Sequence, residues 1–218
     1  MLDVIGIERA VIVQPSVYCS DNRATLDAVA RAGEAFRAVV VLDDTATRRD
    51  LEKMHDQGAR GTRVNALFSG DAEREDLFRL GGLLADQGWH MQMLIDVSRF
   101  ADLEGFVRAL PVPVVLDHMG HMPCAEGPNA PGFQALLRLL GEGRVWTKLS
   151  GSYRITAEAE PPYGDVTPFA RAQHLGHGSV QRNGSERHGG TDCLRRDQIP
   201  HGRASGRREP AAAGRGPL

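Results

Sequence analysis

A chain of 218 residues with 41% hydrophobic and 25% charged side chains has an ordinary soluble composition, long enough for one large domain or two small ones. Its formal net charge of −2 gives no charge-driven reason to expect nucleic acid or an acidic membrane as partner. The three cysteines, Cys19, Cys124 and Cys193, are widely spaced and odd in number, which argues against a disulfide framework or a CxxC metal site and for reduced thiols in the cytoplasm.

The start, MLDVIGIERAVIVQP, is interrupted by Asp3, Glu8 and Arg9 and does not read as a signal peptide. No stretch approaches the ~20 apolar residues of a membrane span. Ala10–Gln14 is the first predicted strand, followed by a helix over Asn22–Ala32 with Leu26, Val29 and Ala30 on one face. Phe36–Leu42 is the second strand, and a helix runs through Leu51 and Met54. Gly61–Asn65 is the third, with a helix over Glu73–Gln87 that turns Leu77, Leu80, Leu83 and Leu84 inward. His90–Asp96 with Phe100–Leu110, and Val112–His118 with Gly132–Leu140, make the next two pairs, and Val145–Ser150 is a sixth strand.

Alternation of strand and helix at roughly 22–32 residues per unit implies a parallel sheet joined by right-handed crossovers. A barrel and an open doubly wound sheet both fit, but no GxGxxG or GxxxxGK[ST] supports the nucleotide-binding form. Polar residues gather at the C-terminal strand ends: Gln14 and Ser16, Arg63 and Asn65, His118, Lys148 and Ser150. A (β/α)8 barrel builds its active site at that rim, and this decides for the barrel. By the alternation of a strand, His118 goes with Val114 and Leu116, and Asp117 points outward as a structural residue.

Composition changes near Ala170. Residues 1–170 hold every aromatic, every methionine and both lysines, whereas 171–218 is rich in arginine and glycine with few large apolar residues. Such a segment cannot bury enough apolar surface to offset its ordering entropy. Two readings account for it: a natural disordered basic tail, or an out-of-frame translation beginning inside the helix that opens at Asp165. The second is preferred, so the expected organisation is a barrel fragment over 1–170 and a disordered tail over 171–218.

The segments QPSVYCSDN (Gln14–Asn22), GARGTRVN (Gly58–Asn65), PVVLDHMG (Pro113–Gly120) and KLSGSYR (Lys148–Arg154) together resemble the amidohydrolase-2 family, most closely its 2-pyrone-4,6-dicarboxylate lactonase-like branch, from about Leu2 to Ala170. The resemblance implies a partial TIM (β/α)8 barrel with six of the eight strands, matching the family's second to seventh. It implies hydrolysis of a small carboxylated lactone, ester or amide. The family's first strand, with its HxH pair, is expected before Met1, and its eighth, with the water-activating aspartate of a GTDWPH-like motif, where the tail lies. Gly190-Thr191-Asp192 matches that motif only superficially, because Cys193-Leu194-Arg195 follows.

By the same resemblance His118 is the catalytic candidate, as a ligand of a divalent metal or as the group polarising the scissile carbonyl. Arg63 and Arg154 would clamp a substrate carboxylate, with Ser16, Tyr18, Asn65 and Tyr153 hydrogen-bonding around it and Lys148 steering the anion. For Arg63 a plain salt bridge at the rim is the equal alternative. The superfamily's metal is often zinc, yet the lactonase branch can lack one, and Asp96 stands where the fifth-strand histidine would be. His55, His90 and His121 are not expected to be ligands, nor are the histidines beyond Ala170. The expected partner is a small anionic substrate, with self-association through open barrel edges. The competing readings are a non-catalytic remnant lacking the HxH pair and the eighth-strand aspartate, and an aldolase-type barrel using Lys148 as Schiff-base amine.

Overall fold

The structure is a computed structural model and describes residues 6–65 and 71–178. Six strands form one parallel sheet in the order β1-β2-β3-β4-β5-β6: Ala10–Val13, Phe36–Val40, Ala59–Asn65, His90–Leu94, Val114–Leu116 and Val145–Thr147. The spatial order is the chain order, with no reversal. A doubly wound sheet turns back on itself at a switch point; a sheet that adds each strand beyond the last keeps every crossover on one side, which is the winding of a barrel. The open-sheet alternative is thereby excluded, and the described residues form an arc of a (β/α) barrel.

Five helices cover the convex face: α1 (Arg23–Ala32), α2 (Arg48–Asp56), α3 (Asp71–Gln87), α4 (Leu103–Ala109) and α5 (Pro131–Gly141). Ala38, Val40, Met91, Met93, Val114, Leu116 and Val145 of the sheet meet Leu51, Leu84, Phe106, Phe133, Leu136 and Leu139 of the helices in one core. Each of these leucines is at least 98% buried, which contributes roughly 1.5–3 kcal/mol apiece. Thr47 and Asp50 form a reciprocal cap at the start of α2. α4 begins at Leu103 rather than Phe100, because Asp96 caps a short turn over Val97–Arg99 and Asp102 then caps the helix through the Gly105 N–H. A short α6 (Ser152–Ile155), which periodicity cannot reveal at four residues, follows β6.

The last helix, α7 (Thr167–Gly178), continues eight residues past the composition change at Ala170. Phe169 stacks edge-on against Phe133 of α5 at 4.8 Å between centroids, and Gln173 is 1% exposed. Residues 171–178 thus belong to the folded body. The expected disordered, out-of-frame tail lies from residue 179 onward outside the described residues.

Strand register fixes which residues face the barrel interior. Gly61 pairs with His90, Arg63 with Gln92, Gln92 with Val115, and Val115 with Trp146, so these share the concave face. Low in the barrel the His90 ring lies over Gly61, where a Cβ would come within 2.5 Å of the imidazole. That contact explains a glycine in the middle of a central strand.

Burial pushes the His90 imidazole from its ordinary 6.5 down to about 4, with the Lys148 charge adding to the effect and a backbone hydrogen bond opposing it. A depressed histidine favours the folded state while the ring is neutral. Its contribution is therefore intact above pH 6.5, declines as the unfolded chain takes up its proton, and levels off near pH 4. Between pH 7 and pH 5 the protein should lose up to about 2 kcal/mol more in urea unfolding than His90→Gln does. Equal losses in the two proteins would remove His90 from the acid response.

Candidate active site

The loop after β1 is held by two buried amides. Gln14 donates to the carbonyls of Cys19 (3.2 Å) and Asp21 (2.7 Å) and accepts from the Thr25 hydroxyl. Asn22 donates to Val41 O (2.8 Å) and accepts from Val41 N (2.9 Å). Gln14 is thus a structural tie and not a rim group. The turn between them, Ser16–Tyr18, presents Ser16 to Arg63, whose Nη1 donates to Ser16 Oγ at 2.8 Å. Tyr18, 53% exposed, stands on the outer face of this turn.

Arg63 leads to the centre of the site, Asp117. Its carboxylate accepts from Gln92 Nε2 at 3.0 and 3.1 Å, pairs with Lys148 Nζ at 2.9 Å, and lies 3.4 Å from Arg63 Nε. The Arg63 Nε contact is an ion pair without hydrogen-bond alignment. Asp117 is 3% exposed. The expectation that it points outward is therefore wrong. Val114 and Leu116 pack into the helix-side core, Val115 faces inward, and Asp117 keeps the parity of Val115. A signal for it existed in the sequence: Arg63 and Lys148, on neighbouring strand ends, need a buried counter-charge between them. Gln92 was missed for the same reason, since its inward direction depends on register.

His118 does not continue the strand. β5 ends at Leu116, and His118 opens a turn with φ of 50°. Its Nδ1 lies 3.1 Å from Ser150 Oγ in a hydrogen bond, and its ring packs against Gly151, where any Cβ would collide with it. β6 likewise ends at Thr147, so Lys148 and Ser150 lie just beyond it, and the Lys148 carbonyl accepts from Met119 N at 3.0 Å. Burial holds the His118 imidazole below 6.5; the Asp117 carboxylate pulls upward, while Arg154, His121 and Lys148 push down. The ring is neutral at neutral pH. On α6, Arg154 lies 5.8 Å from the Tyr153 ring centroid, and both residues are exposed.

The structure thus joins Ser16, Arg63 and Lys148 through Asp117, and sets His118 beside Lys148 and within the field of Arg154. Asn65 ends β3 exposed, in register with Leu94, and shows no bond to the cluster. The His118 and His121 rings are 6.3 Å apart, but no group of three metal-type donors converges among the described residues. Asp117, already flanked by two cations, is poorly disposed to accept a dication as well. The described residues do not fit a metal, and no step is drawn through one. His55 instead accepts from Trp89 Nε1 at 3.0 Å, in a structural role.

A family model described as Amidohydrolase matches residues 1–176. The chain belongs to the amidohydrolase-2 family. This amidohydrolase-2 chain is 31% identical over 179 residues to the 2-pyrone-4,6-dicarboxylate hydrolase of Comamonas testosteroni, covering 78% of itself and 59% of that protein. It is 31% identical over 175 residues to a 4-sulfomuconolactone hydrolase of Rhizobium radiobacter, covering 79% and 58%. It is 30% identical over 171 residues to the D-galactarolactone isomerase of Agrobacterium fabrum, covering 78% and 58%. An apo crystal structure from Agrobacterium tumefaciens superposes with a TM-score of 0.70 at 30% identity, over 80% of this chain and 64% of that one. The chain spans a little under three fifths of the length of these curated relatives, 58–59%.

Replacing Asp117 by Asn should leave Arg63 and Lys148 without their counter-charge. The side chains of these cations are 16% and 35% exposed, so the loss is less than for a fully buried pair. Asp117→Asn is expected to cost on the order of 2–3 kcal/mol in chemical denaturation. A change within about 0.5 kcal/mol would show the cluster to be an ordinary surface network.

Proposed function

We propose that these residues are the substrate-anchoring and carbonyl-polarising part of a hydrolase for small carboxylated lactones, esters or amides. The observation that carries this reading is the charge balance of the rim: Arg63, Lys148 and Arg154 surround the single carboxylate Asp117, with His118 neutral among them. The surplus positive charge favours an anionic substrate, and guanidinium groups match carboxylates bidentately. The printed names of two relatives, a dicarboxylate hydrolase and a sulfomuconolactone hydrolase, point to anionic lactones in those proteins.

With Ser150 donating to Nδ1, His118 carries its proton on Nε2 and can donate to the oxygen that becomes negative on attack. Asp117 holds Arg63 and Lys148 in place through its two oxygens. Lys148, held as an ammonium against Asp117, is ill suited to Schiff-base formation, which disfavours an aldolase. By resemblance a divalent metal such as zinc would belong to the parent enzyme; the described residues give it no support, and the reading does not require one. The spacing of the cysteines and the absence of a membrane-length apolar helix among the described residues suit a cytoplasmic protein.

One observation favours a second reading, a non-catalytic remnant: among the described residues no carboxylate other than Asp117 is bonded to the cluster, and the Asp117 oxygens are taken. General-base assistance is worth roughly 10²–10⁴ in rate. The 218-residue chain should therefore bind carboxylated lactones weakly and turn them over negligibly, measured by calorimetry and a spectrophotometric hydrolysis assay. A chimera supplying the first and eighth barrel strands of a relative should gain activity, and His118→Ala in it should remove most of that gain. Undiminished turnover in that variant would take His118 out of the mechanism.

The edges of the sheet bear on assembly. β1 and β6 each have one paired side, and Val11 of β1 is 37% exposed. Open parallel edges recruit other chains. The protein is expected to self-associate in analytical ultracentrifugation at micromolar concentration; a monodisperse monomer with a sharp cooperative melt would count against it.

A further inference from the structure

Four consecutive residues, His118, Met119, Gly120 and His121, have φ of 50°, 58°, 83° and 53°. Left-handed backbone costs L-residues about 1–2 kcal/mol each, and only glycine is exempt, so such a run needs external fastening. Three backbone bonds contribute: Met119 N to Lys148 O at 3.0 Å, Gly120 N to Asp117 O at 3.1 Å, and His121 N to His118 O at 2.9 Å. Gly120 is wedged between Val97 and Leu136, and a Cβ there would come within 2.9 Å of both.

The remaining fastening comes from outside the barrel. Gln173 Nε2, on α7, donates to Met119 O at 3.0 Å from a residue only 1% exposed. Its amide orientation is settled by chemistry, because a carbonyl can only face the nitrogen end. Its own Oε1 is buried without a partner. Leaving an acceptor buried and unsatisfied costs about 1–3 kcal/mol, so the interaction is a poor device for stability alone.

We propose that Gln173 is a positioning residue: by fastening the Met119 carbonyl it holds the left-handed turn, and so sets His118 against Ser150 and beside Lys148. The inference rests on reading His118 as the polarising group. It places one determinant of the site on α7, remote from the strand ends.

The test is carried out on the full 218-residue chain at fixed pH. Gln173→Met keeps the size of the side chain and removes its donor; Gln134→Met removes a comparable side-chain bond, from Gln134 Nε2 to Pro128 O (2.8 Å), away from the turn. In Gln173→Met the amides of Met119 and His121 should exchange at least about fivefold faster, and the ¹⁵N signal of His118 Nδ1 should move as its bond to Ser150 loosens. Gln134→Met should leave both unchanged. Unaltered His118 signals in Gln173→Met, or equal changes in Gln134→Met, would overturn the proposal. Where Gln173→Met does not fold, the unmodified protein decides: protected Gln173 side-chain amide protons with contacts to the turn support it, and freely exchanging ones refute it. In the active chimera the same substitution should lower kcat with KM nearly kept. Failure of the functional reading shows separately, as activity retained by His118→Ala, while the exchange and ¹⁵N results still report on Gln173.

Discussion

One buried carboxylate organises the concave rim. Asp117 takes a hydrogen-bonding amide from β4, a guanidinium from β3 and an ammonium from just beyond β6, so four consecutive strands meet at a single group. Charges removed from water need full compensation, and here both oxygens are engaged. The consequence is geometric as much as energetic. Arg63 and Lys148 are long, flexible side chains, and the carboxylate fixes them where an anionic ligand can meet them without a further ordering cost.

The turn beyond Asp117 depends on this arrangement. Its first backbone bond returns to the Asp117 carbonyl, and another goes to the Lys148 carbonyl, so the charge cluster and the histidine turn share their framework. His118 is kept neutral by burial and by the neighbouring cations, and it is oriented by Ser150 and by the bare backbone of Gly151. A neutral imidazole in a cationic surround suits hydrogen-bond donation to a developing oxyanion better than proton storage.

The fold was legible because β-branched runs and leucine spacing mark strands and helices locally, and the motifs around Arg63, His118 and Lys148 marked the rim. Asp117 and Gln92 were not legible, since inward or outward direction depends on register and on where a strand ends, which are properties of the pairing and not of the segment. Counting alternation as far as His118 assumed two strand residues that the chain does not use. Tyr18 and Asn65 show the opposite error: polar groups near the rim that the described contacts leave outside the cluster. α7 was cut short because composition averages over a window, while the burial of Phe169 and Gln173 is decided residue by residue.

The sheet order has a consequence for how the molecule comes to be folded. Each strand pairs with the one before it in the chain, so every pairing closes a loop of similar, modest length, and the arc can lengthen in the order of synthesis. In such growth the third strand is in place with Arg63 before the fifth has delivered its acid. Until then the cation faces solvent, and the arrival of Asp117, followed by Lys148, converts a loosely paired sheet into one whose rim is locked. Ribosomal pauses before or after Val114–Leu116 would therefore separate a nascent chain without this lock from one that has gained it.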